Sequence, residues 1–396
     1  MIRSLNSFDL KDKKVLIRVD YNVPIEDGLV NDVYRIQCSI PTIKECLDSG
    51  ASVVLMSHLG RPNGNISEDY SLISVGEVLS DLLEIPIKFS HDCISEDSIN
   101  VTIGLHQGEV HLLENLRFHL GEEENDFEFS RLLSKHGQIF INDAFGTAHR
   151  SHASNVGVTD NFMHRGMGLL MEKEIQYLQH KFKKPKEPLV LLLGGAKISD
   201  KIDVIEKFLV NTKSILIGGG MTFTFLKAMG VNIGKSIVDE QMISTANNII
   251  MKARQNRVKI IFPIDFVVSD SINEPTKIEI VSYDSIPDNM MGLDIGPETI
   301  KLFSKILTQS GTILWNGPME VFEKKEFENG TKSIANLLSE IKDQNIVTIV
   351  GGGDSASAIR RFSNIKNISH VSTGGGASLE LLSGKTLPAI DALEKI

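Results

Sequence analysis

No apolar stretch in this chain approaches the ~18 residues that a membrane span needs. The first ten residues, Met1 to Leu10, carry one basic side chain and no long apolar core, so no secretory leader is expected. Cysteine is scarce. Cys38, Cys46 and Cys93 form no metal-ligand spacing, and an odd number of thiols without a leader points to reduced cysteines in the cytoplasm. Positive charge is outweighed: a formal net charge of −10 argues against general nucleic-acid binding, though not against a local basic pocket. Low-complexity segments and internal repeats are also lacking.

The usual nucleotide fingerprints are missing too. Gly234-Lys235-Ser236 and Gly384-Lys385-Thr386 mimic the tail of a Walker A loop. That loop needs a glycine five positions before its second glycine, where this chain has Met229 and Leu379. No run fits G-x-G-x-x-G either, which weakens a dinucleotide-cofactor reading.

What is present is a globular composition, 41% hydrophobic and 23% charged, spread over 396 residues, too many for one ordinary core. Apolar, β-branched runs alternate with helical patterns from end to end. Strands are expected at 14–19, 51–57, 86–89, 110–113 and 138–142, then at 189–193, 214–218, 258–263, 312–315, 347–350 and 370–373. Such alternation argues parallel sheets covered on both faces. The amphipathic stretch Leu169 to Lys184, stopped by Pro185 and Pro188, reads as an interdomain helix and linker.

Glycine marks the ends of several strands. Ile217-Gly218-Gly219-Gly220, Val350-Gly351-Gly352-Gly353-Asp354-Ser355, Ser372-Thr373-Gly374-Gly375-Gly376 and Gly194-Gly195-Ala196-Lys197 each close an apolar run. Bare backbone before a helix lets a ligand come close and offers it unpaired N–H groups, so several such turns point to a nucleotide or phosphate site on the carboxyl edge of a sheet. Basic residues gather elsewhere. Nine of the eleven histidines and eight of the twelve arginines precede residue 166. Arginine forks grip carboxylates and phosphates, so the first half suits a small anion and the second a nucleotide.

Particular residues follow from this. Asp20 and Asn22 point the same way if the first strand stays extended, and could meet a polyol or merely close an Asx turn. His58, Gly60 and Arg61 follow the second strand; Arg35, Arg117 and Arg150 occupy comparable positions. Lys197 and Lys201 would share a face if a helix has begun there, and could clamp phosphates or be ordinary exposed lysines. Asp354, an acid beside phosphate-binding glycines, is a natural partner for Mg²⁺.

Taken in order, Arg18–Pro24, Arg35, His58–Arg61, Glu114–Phe118, Asn142–Ser154, Gly194–Ile202, Gly218–Phe225, Trp315–Glu323, Gly351–Ser355 and Ser372–Glu380 resemble the phosphoglycerate kinase family over nearly the whole chain. The resemblance implies an α/β fold of two Rossmann-like domains with parallel sheets, joined by a hinge helix around a deep cleft. It implies a phosphoglycerate-binding domain at 1–168, with a tail at about 380–396 packing on it, a linker at 169–188 and a nucleotide-binding domain at 189–379. The reaction implied is transfer of the acyl phosphate of 1,3-bisphosphoglycerate to ADP, giving 3-phosphoglycerate and ATP, with Mg²⁺, in a cytoplasmic monomer. Arg35 and Lys197 are then the catalytic cations. Asp20, Asn22, Arg35, His58, Leu59, Gly60, Arg61, Arg117 and Arg150 bind phosphoglycerate. Lys201, Gly218, Gly219, Gly220, Glu323, Gly352, Gly353, Asp354 and Ser355 bind nucleotide, and Asp354 is the metal carboxylate. An acyl phosphate is already activated, which fits the lack of an obvious catalytic dyad.

Two positions depart from the family pattern. Tyr21 replaces a usual phenylalanine. Glu320 replaces a usual glycine and is expected either to carry left-handed backbone strain or to stand as a surface charge near the nucleotide. A nicotinamide dehydrogenase should show the missing G-x-G-x-x-G, and a non-catalytic nucleotide-binding regulator would have lost Arg35, Lys197 and Asp354.

Overall fold

The computed structural model describes residues 2–394 and divides into two compact units, one of residues 1–176 with 386–396, the other of residues 177–385. In the first unit the strands are β1 (Lys14–Arg18), the short pair β2 (Ile25–Glu26) and β3 (Leu29–Val30), β4 (Ser52–Met56), β5 (Ile87–Ser90), β6 (Val110–Leu113), β7 (Ile139–Asn142) and β8 (Arg165–Met167). Six of these form one parallel sheet in the order β5-β6-β4-β1-β7-β8. Side chains alternate between its faces, as the two-residue period requires. Val15, Ile17, Val53, Leu55, Ile139 and Ile141 fill one core, and Leu16, Val54, Met56 and Phe140 fill the other. Both faces are therefore dry, which is why these strands read as unbroken apolar runs.

The second unit contains β9 (Leu189–Leu193), β10 (Ser214–Ile217), β11 (Lys259–Ile261), β12 (Asp265–Ser269), β13 (Ile278–Ser282), β14 (Met291–Ile295), β15 (Thr312–Asn316), β16 (Val347–Gly351) and β17 (His370–Val371). Its parallel sheet runs β11-β10-β9-β15-β16-β17. Numbered within that sheet the order is 3-2-1-4-5-6, the doubly wound arrangement whose ligand crevice opens where the order reverses. Here that point lies between β9 and β15. In the first unit the corresponding reversal lies between β1 and β7.

All eleven strands expected from the sequence are present. The sequence reading missed β8, the β2–β3 pair and an antiparallel sheet of order β13-β12-β14. That sheet packs Phe266 and Val268 on Phe223 and Leu226 of the helix Met221–Ala228. The chain passes from one unit to the other through Leu169–Ile175, a π-helical turn Gln176–His180 and Lys181–Lys183. The helix Pro388–Glu394 belongs to the first unit: the Ala389 N–H donates to the Ala148 carbonyl at 3.1 Å, and Leu393 joins the core of Leu16, Val54 and Phe140. Among the described residues no helix is long and apolar enough to cross a membrane.

Candidate active site

The first group of candidate residues lies at the carboxyl ends of β1, β4, β6 and β7. β1 ends at Arg18, which is fully buried and anchors the group from beneath. Its Nε donates to Ser154 Oγ at 2.8 Å, another nitrogen to the Val19 carbonyl, and Nη2 lies 3.2 Å from His58 Nδ1. Glu122 supplies counter-charge at 3.9 Å and itself accepts from the Ser154 hydroxyl (2.6 Å) and N–H (3.0 Å). Burial pulls the Arg18 guanidinium below its ordinary value, with Glu122 and Asp20 opposing; arginine stays charged even so.

His58 is the consequence. Burial, then the charges of Arg18, Arg117, Arg150 and Arg35, push its pKa well below the usual range. The ring is neutral. Because Nδ1 accepts from a guanidinium, which has no lone pair to offer, the one ring proton belongs on Nε2. His58 is thus a fixed N–H donor. His152 is likewise pushed down to about 4, by burial and then by Arg117, Arg18 and Arg150.

The other cations surround this ring. Arg35, in the first turn of the helix Tyr34–Asp48, donates through Nη1 to Asp20 Oδ2 (3.0 Å) and the Asn22 carbonyl (3.1 Å). Both bonds use one nitrogen, so the rest of the fork can meet an incoming anion. The Asn22 side chain accepts from the Gly60 N–H at 2.9 Å. Arg117 donates to the Gly60 carbonyl at 2.6 Å and pairs with Glu123 at 2.9 Å; its Nε is sealed without a partner. Arg61 is exposed, and Arg150 is half-buried with Nε 3.4 Å from His149 Nε2. Leu59 is a spacer whose N–H and C=O are both taken by the Asn115 side chain. Five guanidinium groups face three carboxylates, Asp20, Glu122 and Glu123, leaving excess positive charge for a small multivalent anion. Sequence reasoning placed the rim of this group. It missed the roles of Arg18, Ser154 and Glu122, whose partners lie more than a hundred residues apart for Arg18 and Ser154. Tyr21 is buried with its hydroxyl 2.8 Å from Ser39 Oγ, so the extra oxygen is satisfied.

The second group lies at the switch point of the other sheet. Adding a Cβ to each glycine separates two kinds. At Gly194 it would meet the Pro318 carbonyl at 2.0 Å, at Gly219 the Gly195 nitrogen at 2.3 Å, and at Gly317 the Gly194 carbonyl at 2.2 Å. These turns pack backbone on backbone, as the bonds Gly194 N–H to Asn316 (2.9 Å), Gly195 N–H to Pro318 (2.9 Å) and Gly219 N–H to Met319 (3.0 Å) record. Gly218 and Gly220 are also buried, against Met319 and Ile237. At Gly195 and Gly353, by contrast, a Cβ would meet nothing, so that backbone is open to a ligand.

Gly352 has φ +95° and starts the helix Gly353–Phe362, with Asp354 exposed in its first turn. Ser355 is buried and its hydroxyl accepts from the Gly317 N–H at 2.7 Å. Glu323 is exposed. Lys197 and Lys201 do not share a helix face, because the helix begins only at Ile202. Lys197 is exposed. Lys201 turns inward to the Asn316 side-chain oxygen, and burial pulls its pKa down against the opposing Asp200 and Asp354. Asn316 Nδ2 is sealed without a partner.

Glu320 fits neither expectation. It is absent from the positive-φ residues, so it carries no left-handed strain, and its Oε1 is sealed from solvent without a hydrogen bond. Burial, then Asp294 and Glu323, push its pKa well above the carboxylate range. It is a half-buried carboxyl whose charged form is disfavoured, not an exposed surface charge. Glu320→Gln is therefore expected to leave ATP affinity within twofold of the parent at both low and high salt. A salt-dependent tightening in an ATP titration would restore the surface-charge reading.

A family sequence model described as phosphoglycerate kinase matches residues 5–385. The phosphoglycerate kinase of Thermosynechococcus vestitus is 46% identical over 394 residues, covering 99% of this chain and 98% of that one. That of Finegoldia magna is 46% identical over 395 residues, covering 99% of each. Among solved structures, the phosphoglycerate kinase of Coxiella burnetii superposes with a TM-score of 0.87 at 36% identity, covering 99% of both chains. The enzyme of Pyrococcus horikoshii does so with a TM-score of 0.86 at 33% identity, covering 100% of this chain and 98% of the other.

Proposed function

The chain belongs to the phosphoglycerate kinase family, and from that premise we propose which of its residues carry the reaction. The activity is reversible phosphoryl transfer between 1,3-bisphosphoglycerate and ADP, giving 3-phosphoglycerate and ATP, a step of glycolysis. In our reading residues 1–168 with the tail at about 380–396 bind phosphoglycerate, 169–188 link, and 189–379 bind nucleotide. Phosphoryl transfer asks for in-line placement and positive charge on the equatorial oxygens, and little else from protein.

The observation that carries the assignment is the surplus of guanidinium charge gathered around neutral His58. Arg61, Arg117 and Arg150 hold the anionic ends of the glycerate substrate. His58 donates from Nε2, and Asp20 and Asn22 orient both Arg35 and the substrate. Arg35 meets the migrating phosphoryl group with the nitrogens that Asp20 leaves over, and exposed Lys197 meets it from the nucleotide side. Open backbone at Gly195 and Gly353, with Gly352, Lys201 and Ser355, holds the nucleotide phosphates. Gly218–Gly220 and Glu323 border the rest of the nucleotide. No general base is required, which agrees with His58 Nδ1 being committed to Arg18.

A magnesium ion fits the residues present: Asp354 offers one exposed carboxylate beside glycine backbone where a Cβ would meet nothing, and Mg²⁺ prefers one or two carboxylates with phosphate oxygens and water. When bound, it would neutralise phosphate charge. Asp354→Asn keeps the shape and loses the charge, so nucleotide affinity should lose most of its gain on adding Mg²⁺ while affinity without metal is unchanged. An unchanged gain would remove Asp354 from that role. The protein works as a cytoplasmic monomer in this reading. A coupled assay with 3-phosphoglycerate, ATP and Mg²⁺ tests the whole. Turnover abolished by omitting 3-phosphoglycerate is expected, and ATP consumption indifferent to it would overturn the assignment.

A further inference from the structure

Neighbouring strands β5 and β6 bring together a cluster that the transfer reaction does not use. Asp92 and Cys93 follow β5, and His119 follows β6 after the turn Leu116–Phe118. One ligand atom from each lies within 4.8 Å of the other two. His119 Nε2 and Asp92 Oδ2 are 3.3 Å apart. Around a tetrahedral zinc-type ion with bonds of about 2.0–2.1 Å, a nitrogen and an oxygen ligand stand about 3.3 Å apart. That edge is already made. The sulfur has at most about 1.3 Å to close to complete its own edges, within reach of a side-chain rotation.

Each donor is held from behind. Asp92 Oδ1 accepts from the N–H groups of Ile94 (2.6 Å) and Ser95 (2.9 Å), which turns Oδ2 toward His119. The His119 ring lies on Phe129, centroids 5.4 Å apart. The Cys93 carbonyl accepts from His136 Nε2 at 3.0 Å. Because that nitrogen is a donor, His136 Nδ1 accepts from the Thr102 hydroxyl (2.6 Å). Thr102 in turn accepts from His111 Nδ1 (3.0 Å), and His111 Nε2 accepts from the Ser90 hydroxyl (2.7 Å). A directional chain of four bonds thus fixes the Cys93 backbone, and such outer support is what a metal site needs.

We propose that Asp92, Cys93 and His119 form a three-ligand site for a divalent cation that accepts sulfur, with Zn²⁺ as its natural occupant and water in the fourth position. Exposure suits this. Cys93 is 0% exposed, whereas the Asp92 and His119 side chains are 33% and 28% exposed, so the soft donor faces the core and the polar donors face an entry path. Sulfur is a soft donor, so the site suits a cation with strong affinity for sulfur. That excludes Mg²⁺ and Ca²⁺. The cysteines alone showed no ligand spacing because two of the three donors are not cysteine and the strands supply the proximity.

The test is titration of the full chain, stripped with a chelator, with Co²⁺, read by absorption. One equivalent should produce a sulfur-to-cobalt charge-transfer band with tetrahedral d–d bands, and equimolar Zn²⁺ should bleach both. Cys93→Ser should abolish the charge-transfer band. His119→Gln, at a part-exposed position and less exposed to misfolding, should weaken Co²⁺ binding at least ~tenfold. Cys38→Ser should change nothing. No charge-transfer band in the parent protein, d–d bands without it, or a band that survives unchanged in His119→Gln would each overturn the proposal, leaving an ion pair beside a core thiol.

Discussion

Arg35→Ala is expected to lower kcat by about 10³–10⁵, the range by which a cation on a migrating phosphoryl group accelerates transfer, while ATP affinity stays within twofold. The split follows from the geometry. Arg35 is tied to Asp20 and the Asn22 carbonyl through Nη1 alone, and these partners belong to the anion-binding edge of the first sheet rather than to the glycine turns. Arg35→Lys should recover little, because an ammonium cannot hold Asp20 and present a second nitrogen in one plane. Steady-state kinetics with a separate ATP binding measurement decides it. Turnover within tenfold of the parent would end the assignment of Arg35 as the catalytic cation.

The second large effect concerns stability against pH. Asp294, in β14, is pushed up to about 8 by burial, against the opposing hydrogen bonds from the Gly330 and Ile295 N–H groups. In the unfolded chain its value is the ordinary 3.8. Between these values the folded chain keeps a proton that the unfolded chain has lost. Stability from this group is therefore complete below about pH 4 and is lost as pH rises toward 8. Each pH unit in the window is worth up to about 1.4 kcal/mol. Glu320, also raised, acts in the same direction. Asp294→Asn cannot titrate, so the stability of the parent minus that of the variant should fall by roughly 3–4 kcal/mol from pH 5 to pH 8. Taking the difference cancels the groups that do not interact with Asp294; Glu320, which does, shifts with it. Urea unfolding followed by Trp315, the single tryptophan and a buried residue of the same unit, reads it. A difference that does not change with pH would place the Asp294 charge back in the folded state.

Legibility in the sequence followed burial pattern closely. β9 is an unbroken apolar run and β6 is apolar but for the buried His111; both match the expected bounds to the residue. β8, Arg165-Gly166-Met167, has no such run: it is a strand because β7 offers it a partner, Phe140 opposite Arg165. β13 alternates exposed and half-buried residues, Ile278 and Ile280 among the exposed, and β14 encloses a buried aspartate, so neither resembles the parallel strands. In the site, the arginines and glycines were visible because they follow strands. Which glycines pack and which lie open was not, since Gly194 and Gly353 look alike until the turn of Pro318 is brought against one of them. The orientation of Lys201 depends on a helix that starts later than its pattern suggested, and the raised pKa of Glu320 depends on what surrounds it.

The return of the helix Pro388–Glu394 to the first unit has a consequence for the order in which the protein is made. Residues 177–385 are one uninterrupted stretch, complete as soon as their last residue leaves the ribosome. The other unit is begun first and finished last. Throughout translation its core of Leu16, Val54 and Phe140 lacks the cover of Leu393, and the Ala148 carbonyl lacks the Ala389 N–H. Domains made in sequence ordinarily fold in the order they are made. Here the unit of residues 177–385 can be native while the unit begun before it still waits for residues 386 onward.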